Sequence, residues 1–489
     1  MLLRHVRLVP VGSAAPDGLV DLRISGDRIA ELGRSLTRLP AEDELDAAGR
    51  WLIPGLWDQH THLGQWSRQG TRLDLAGATS RAEALARIRA GLHATGEVLV
   101  GGGFRPSNWA DPPTTAALDE VSDSRPIVLV SGDAHSGWLN SAALRRFGLA
   151  HRDDLLREAE WFDLLPTVLA AEDAQVGPSV YATAMHAAAA RGVVGIVDYE
   201  FEPGFVRWPQ RYAEAGVRLR VRTSTYPVDL AAAIDGGLRS GDVIDGEPLL
   251  TMGALKIISD GSLNTQTAHC RQPYADGGHG VQNVLGPELQ ALLSRAASVG
   301  LSVALHAIGD AALQIALDAF AATGARGSIE HAQLAGTEQV AEIARLGLIA
   351  SAQPAHLLDD RGVTEVIWDE QRAGRSFPLR ELAAAGVELA LGSDAPVAPL
   401  DPWLAMAAAV HRGEPHDAPW HPEHSLTTAQ ALSASTDGRA TPTAGAPADL
   451  ALLDADPLAA GDSATVAAQL RRMPVAATIV AGQVVHQAW

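Results

Sequence analysis

Two histidines one residue apart, His60 and His62 in PGLWDQHTHLG, are the first residues whose types and spacing can do chemistry. In an extended backbone alternate side chains share a face, so both imidazoles can reach one metal ion while Thr61 points away. Taken alone, the pair reads equally well as two polar loop residues. Three further residues shift the balance. His306 and His331 each close an apolar run, LSVALH and GSIEH, and Asp394 closes a third, VELALGSD. An imidazole at the end of a buried run needs a partner, either a hydrogen bond in the core or a metal. Imidazole and carboxylate hold zinc above all, and also iron or manganese, so the set predicts a divalent metal, as one or two ions.

Lys256, in GALKIISDGS, is the only lysine of the chain: of the 38 basic residues the other 37 (38 − 1) are arginine. A neutral lysine amine adds carbon dioxide to give a carbamate whose two oxygens can bridge two cations. Arginine cannot, because its guanidinium stays protonated. Burial and nearby cations both favour the neutral amine. The expectation is therefore an N-carboxylated Lys256 among the metal ligands, the other readings being an incidental lysine or an ammonium paired with Asp260.

These residues need a frame to bring them together. Apolar runs at 52–58, 193–198, 217–223, 252–258, 301–306, 327–331, 348–353 and 387–394 alternate with Ala-rich helical stretches. Eight buried strands alternating with helices predict an α/β fold, a parallel (β/α)₈ TIM barrel, whose chemistry lies at the C-terminal ends of the strands. Residues 51–63 and 181–439 are assigned to this barrel. Residues 1–50 and 440–489 alternate apolar and polar residues and predict one small β domain made by both ends of the chain. Residues 64–180, with strand-like runs VLVGGG and PIVLVSG, are too long for a loop and predict an insertion roofing the barrel mouth.

Weaker candidates surround the core set. Asp260 and Ser262, after Lys256, read as substrate contacts or as residues of a glycine turn. Gln353 and His356 in SAQPAH follow the seventh run and can meet substrate or serve the turn beside Pro354. His135 in GDAHSGW is the insertion's best candidate for entering the site. Among 11 tryptophans, Trp57, Trp66, Trp109, Trp138 and Trp403 are candidates to line the mouth, with packing as the other reading. His411, His416, His421 and His424 read as a solvated loop.

Composition narrows the partners. The formal net charge of −20 disfavours nucleic acid and anionic lipid. The sequence has no continuous apolar stretch long enough for a signal or a membrane span, and its single cysteine, Cys270, fits a reducing compartment. The expectation is a cytoplasmic protein with a small-molecule substrate and no nucleic-acid or membrane partner, assembling as a homodimer. GxSxG, HExxH and GxxxxGK[ST] are absent, which removes the commonest competing catalysts.

PGLWDQHTHL, LKIISDGSL, LHAIGDAAL, IEHAQL, SAQPAH and LGSDAPVAPLDPW together resemble the metal-dependent amidohydrolase superfamily, and within it the YtcJ-like, amidohydrolase 3 branch that includes N-substituted formamide deformylases. The resemblance runs nearly end to end. It implies a barrel with a composite β-sandwich and hydrolysis of amide-like C–N bonds. It also implies metal held by His60, His62, His306, His331 and Asp394, with a carboxylated Lys256. The chain departs from the branch after NSAAL, passing from FGLAHRDDLLREAEWF straight into a helix where the branch has a longer Gly-rich stretch. Asp394 is then the general base toward water and the general acid toward the departing amine. His306 or His331 orients the carbonyl oxygen if a single ion is bound. The competing class is a metal or small-molecule binding protein on the same barrel, which would have no need of an acid–base aspartate.

Overall fold

The computed structural model describes residues 1–489 apart from 94–95, 107–108, 178, 215, 217, 276 and 369–372, and describes only the backbone of 173–176. Eight parallel strands follow one another in space as they do in sequence: Leu56–Thr61, Val193–Asp198, Arg220–Thr225, Leu250–Ile258, Val303–Ala307, Gly327–His331, Ile349–Ala352 and Leu389–Leu391. They form a nearly closed barrel. The first and last strands meet through a parallel bridge between Thr61 and Ala395, with Asp394 N donating to His60 O (2.7 Å) and His62 N to Ala395 O (2.8 Å). Every residue of Leu56–Thr61 and of Val193–Asp198 is buried, which is why these strands read as continuous apolar runs rather than alternating ones.

The apolar run at 52–58 is not one strand. Trp51–Pro54 belongs to another sheet, antiparallel to Leu450–Leu453 and parallel to Leu2–Leu8, while the first barrel strand begins at Leu56. The chain changes sheets at Gly55, where a Cβ would lie 2.1 Å from Val194 Cγ1. Two buried strands joined by one close-packed glycine leave no break in hydrophobicity. His60 therefore lies inside the first barrel strand rather than after it. Two other bounds also move. Val217, first residue of the third run, lies outside the described residues, and the eighth strand stops at Leu391, so that Asp394 sits three residues beyond it.

Both ends of the chain build one eight-stranded sheet, in which Leu2–Leu8, Leu19–Ser25, Arg28–Gly33, Glu44–Asp46 and Trp51–Pro54 join Leu450–Leu453, Val475–Val480 and Gln483–Gln487. A third sheet of five strands lies within residues 73–157 and includes both runs noted there, as Leu99–Phe104 and Ile127–Ser131. Its loops are tied to the loop after the fourth barrel strand: Ser262 Oγ donates to Asp133 Oδ2 (2.7 Å) and Thr267 Oγ1 to Glu158 Oε1 (2.6 Å). Among the described residues no helix is long and apolar enough to cross a membrane.

The tryptophans fill cores rather than the mouth. Trp57 and Trp66 join the barrel cluster, Trp109 and Trp138 that of the five-stranded sheet, and Trp403 that beside the terminal sheet. Three of the indole N–H groups find backbone acceptors there, Trp109 on Ala78 O (3.1 Å), Trp138 on Thr114 O (2.8 Å) and Trp403 on Arg191 O (2.9 Å). Nor are all four late histidines solvated: His411 and His424 are buried.

Candidate metal centre

Two groups of potential ligands converge at the C-terminal end of the barrel. His60, His62 and Asp394 offer donor atoms within 4.8 Å of one another, and so do His331, His356 and Asp394. Asp394 is common to both. Its Oδ1 lies 3.4 Å from His60 Nε2 and 3.3 Å from His62 Nε2, and its Oδ2 lies 3.8 Å from His356 Nε2. Asp394 and His331 both hold left-handed backbone, with φ of +56° and +71°. That conformation is uncommon for non-glycine residues and marks places where the fold fixes a side chain's direction.

The imidazoles are presented as ligands. His60 is fully buried, and its Nδ1–H donates to Glu330 Oε2 at 2.7 Å. That bond leaves the Nε2 lone pair facing Asp394. Burial, reinforced by the nearby Lys256 charge, lowers His60 to about 4, so it is neutral at physiological pH. His331 is lowered well below the usual histidine range by burial and by the His306 charge. His331 Nδ1 and His356 Nε2 are buried atoms with no hydrogen-bond partner in the structure. Buried imidazoles with unpartnered nitrogens around a carboxylate fit a divalent cation, which would satisfy them. Burial would raise Asp394, but the His60 and His62 imidazoles outweigh it and hold the carboxyl well below its usual range, ionised.

Lys256 ends in this cluster. It is 1% exposed, its Nζ lies 3.3 Å from His60 Nε2 and 4.4 Å above the Tyr199 ring, and burial lowers it to about 8 against the Glu330 and Asp394 charges. Its environment thus supplies a sizeable neutral fraction at physiological pH. His306 stands beside the group, its ring 4.4 Å from that of His331, but its Nε2 faces Asp260 Oδ1 and Gly261 O, each at 3.3 Å.

The weaker candidates separate by what they touch. Asp260 is buried and accepts from Ile308 N, Gly309 N and His269 N, so it organises the loop after the fifth strand and does not pair with Lys256. Gln353 Nε2 lies 3.3 Å from His60 Nδ1, behind that ring rather than on the cavity side. Trp66 packs on the barrel core. Ser262, His135 and His356 do line the cavity, a space of about 30 Å³ that also touches Arg105, His331 and Asp394. It has room for an ion and little more than one water. His135 reaches it from the insertion. Burial alone would lower its pKa, but the Glu158 charge and hydrogen bond raise it to about 9.

Three contributors were not singled out in the sequence. Glu330 orients His60 and is itself held down to about 2, burial being outweighed chiefly by that hydrogen bond, with the Lys256 charge adding to it. An acid inside the buried run GSIEH was the available signal. Asp58, two residues before His60, accepts from Ser393 N (2.8 Å) and His60 N (3.2 Å), fastening the first strand to the loop that carries Asp394. Phe201 stacks on His62 with ring centres 5.2 Å apart, and no residue pattern announces it. Glu330→Gln is expected to weaken metal binding roughly 10–100-fold, because the amide no longer fixes the His60 tautomer. Competition against a chromophoric chelator measures this, and an affinity equal to wild type contradicts it.

Comparison with known proteins places this architecture. The profile of the Amidohydrolase family matches residues 43–486. The chain is 26% identical to the putative amidohydrolase YtcJ of Bacillus subtilis (strain 168), over 96% of this chain and 95% of that protein. It is 28% identical to the N-substituted formamide deformylase of Arthrobacter pascens, over 94% and 93% of the two chains. In fold it resembles an uncharacterized metal-dependent hydrolase from Pyrococcus horikoshii OT3, with a TM-score of 0.76 at 24% identity, over 94% of this chain and 98% of that one. With a family profile spanning nearly its whole length, the chain belongs to the Amidohydrolase family, hydrolases of carbon–nitrogen bonds.

Proposed function

We propose that the protein is a zinc-dependent hydrolase that cleaves a non-peptide C–N bond in a small N-acyl, N-formyl or cyclic amide. The observation that carries this reading is one ionised carboxylate, Asp394, shared by two buried groups of imidazoles at the end of a barrel. The likeness to an amidohydrolase and to a formamide deformylase supports the substrate class.

His60, His62, His331 and His356, with Asp394 between them, would hold the metal, and His306 stands close enough to join after a turn of its ring. A bound divalent ion supplies water that ionises near neutral pH and a Lewis acid for the substrate carbonyl. The remaining steps belong to the chain. Asp394 Oδ2 takes a proton from the attacking water. Once the tetrahedral carbon has formed, the same carboxyl delivers that proton to the substrate nitrogen, so that an amine and not an amide anion departs. Neutral His331 faces the cavity and can orient the carbonyl oxygen when a single ion is held.

Lys256 joins the ligand set as a carbamate. Its neutral Nζ adds to the carbon of carbon dioxide, the N–C bond forming as one C=O π bond opens onto oxygen; one nitrogen proton passes to water, and the product is an anion beside His60. This replaces a cation that now lies 3.3 Å from a candidate ligand nitrogen with a group that attracts metal.

Metal analysis of protein purified without chelator, followed by a screen of N-formyl and N-acyl amides, tests the reading. The expected result is at least one equivalent of divalent metal and a turnover that dipicolinate removes and zinc restores. Metal retained with no turnover of any amide, or turnover that survives metal removal, contradicts it.

A further inference from the structure

Charged groups from the insertion and from the loops after the seventh and eighth strands line the chamber beside Asp394, and its acids already have partners. Asp133 accepts from Ser131 Oγ, from His135 N (3.2 Å) and from Ser262 Oγ (2.7 Å). Asp360 accepts from Gln333 Nε2 (3.2 Å), and Asp394 belongs to the ligand groups. The cations have donors to spare. Arg105 donates through Nη2, to Asp359 Oδ2 (3.0 Å) and Val397 O (3.3 Å), while its Nε and Nη1 meet no acceptor among the described residues. His135 turns Nδ1 to Glu158 Oε2 (3.1 Å), whose charge outweighs burial and keeps the ring cationic, and its Nε2 has no acceptor either. Unfilled cationic donors in one small space are complementary to an acceptor that brings negative charge.

Arg105 is placed to meet such a group at the outer end of the chamber. It follows the insertion strand Leu99–Phe104, and its stem lies along bare backbone: a Cβ at Gly132 would come within 3.0 Å of its Cγ and Nε. Its side chain is 31% exposed, against 11% for that of Asp394. The planar guanidinium suits two parallel hydrogen bonds to one carboxylate. Asp359 already offers a carboxylate to the same group from the helix His356–Ile367, through one recorded bond and with half its side chain in solvent. An exposed ion pair of this kind contributes little, so an incoming carboxylate exchanges with Asp359 and leaves it to water.

We propose that Arg105 is the specificity-determining residue of this site and selects amides that carry a carboxylate close to the scissile C–N bond, as an N-formyl or N-acyl amino acid or a dicarboxylic monoamide does. The inference rests on the metal-hydrolase reading above and adds the charge of the substrate to it. The small volume of the chamber, which touches both Arg105 and Asp394, sets the short separation between the two ends of the substrate. His135 Nε2 supplies a second donor to the same carboxylate. A neutral amide leaves Arg105 on Asp359.

Calorimetric binding to the zinc-loaded protein tests this without requiring turnover. Acetohydroxamate offers only a metal-binding head. Succinic monohydroxamate adds a carboxylate on the acyl side and N-formyl-N-hydroxyglycine adds one on the nitrogen side, and the primary amide of each serves as its neutral counterpart. The readout is the ratio of acid to amide affinity, and the pair with the larger ratio tells which side of the C–N bond the carboxylate occupies. Arg105→Gln is expected to lower that ratio tenfold or more, because a charge-assisted pair is lost. Arg105→Lys is expected to keep part of it, and Asp359→Asn to raise it by removing the competing carboxylate. If acetohydroxamate binds and the ratios in Arg105→Gln and Asp359→Asn equal those of wild type, the subsite is overturned while the metal reading stands. If no probe binds the zinc-loaded protein, the metal reading falls and the subsite with it.

Discussion

Asp394→Asn is expected to lower kcat by about 10²–10⁴-fold, the range that loss of a positioned acid–base group produces. Asparagine has nearly the same shape and keeps one oxygen as a neutral donor, and the backbone bond from residue 394 N to His60 O is untouched by the change. Four imidazoles remain to hold the metal. Two quantities therefore separate: metal content falls little, while the proton transfer from water to the leaving amine is lost. Stopped assays on metal-replete protein, with metal measured on the same sample, read both. A variant that loses its metal entirely would make Asp394 mainly a ligand. One that keeps near wild-type kcat would remove it from the chemistry.

The second large effect is expected at Lys256. Lys256→Arg retains a cation but cannot form a carbamate, and it forces a bulkier, permanently protonated group into a 1% exposed position beside His60. Loss of metal and of turnover is expected, and overpacking adds about 1–3 kcal/mol of destabilisation. Because misfolding would give the same loss, Lys256→Ala is the more telling variant. It opens a space in which acetate or propionate can stand for the carbamate. Partial recovery of metal binding and turnover with added carboxylate, in protein whose thermal midpoint is otherwise native, is the expected result. A Lys256→Ala protein as active as wild type, or one that carboxylates never rescue while it remains folded, contradicts the carbamate.

Much of this was legible in the residues because buried parallel strands are continuous apolar runs and their polar terminal residues stand out against them. His331 and Asp394 declared themselves in that way, His60 and His62 by their one-residue spacing, and Lys256 as the only lysine of the chain, and the structure gathers them. Hydrophobicity could not separate Trp51–Pro54 from Leu56–Thr61, since both are buried and only a glycine joins them. Nor could it give the direction of a ring. His306 sits where expected, yet its Nε2 faces Asp260, and His356, read as a turn residue or substrate contact, completes a ligand group with His331. Those outcomes depend on loop conformation and on partners dozens of residues away. The aromatic lining was misplaced for a related reason. Composition drew attention to tryptophan, whose size and N–H suit a core with a backbone acceptor, while the rings beside the candidate ligands are Phe201 on His62 and Tyr199 on His60. Glu330 was hidden by its neighbour, because the histidine after it explained the polar end of the run.

Everything in the proposed chemistry depends on side chains far apart in sequence meeting to bind a divalent cation. A crystal of the zinc-supplemented protein, with diffraction recorded on both sides of the zinc absorption edge, tests it most directly. The expected result is an anomalous peak within bonding distance of His60 Nε2, His62 Nε2 and Asp394, absent below the edge and absent from chelator-treated crystals. No peak among these residues under zinc saturation, or a peak only at surface histidines, would contradict it.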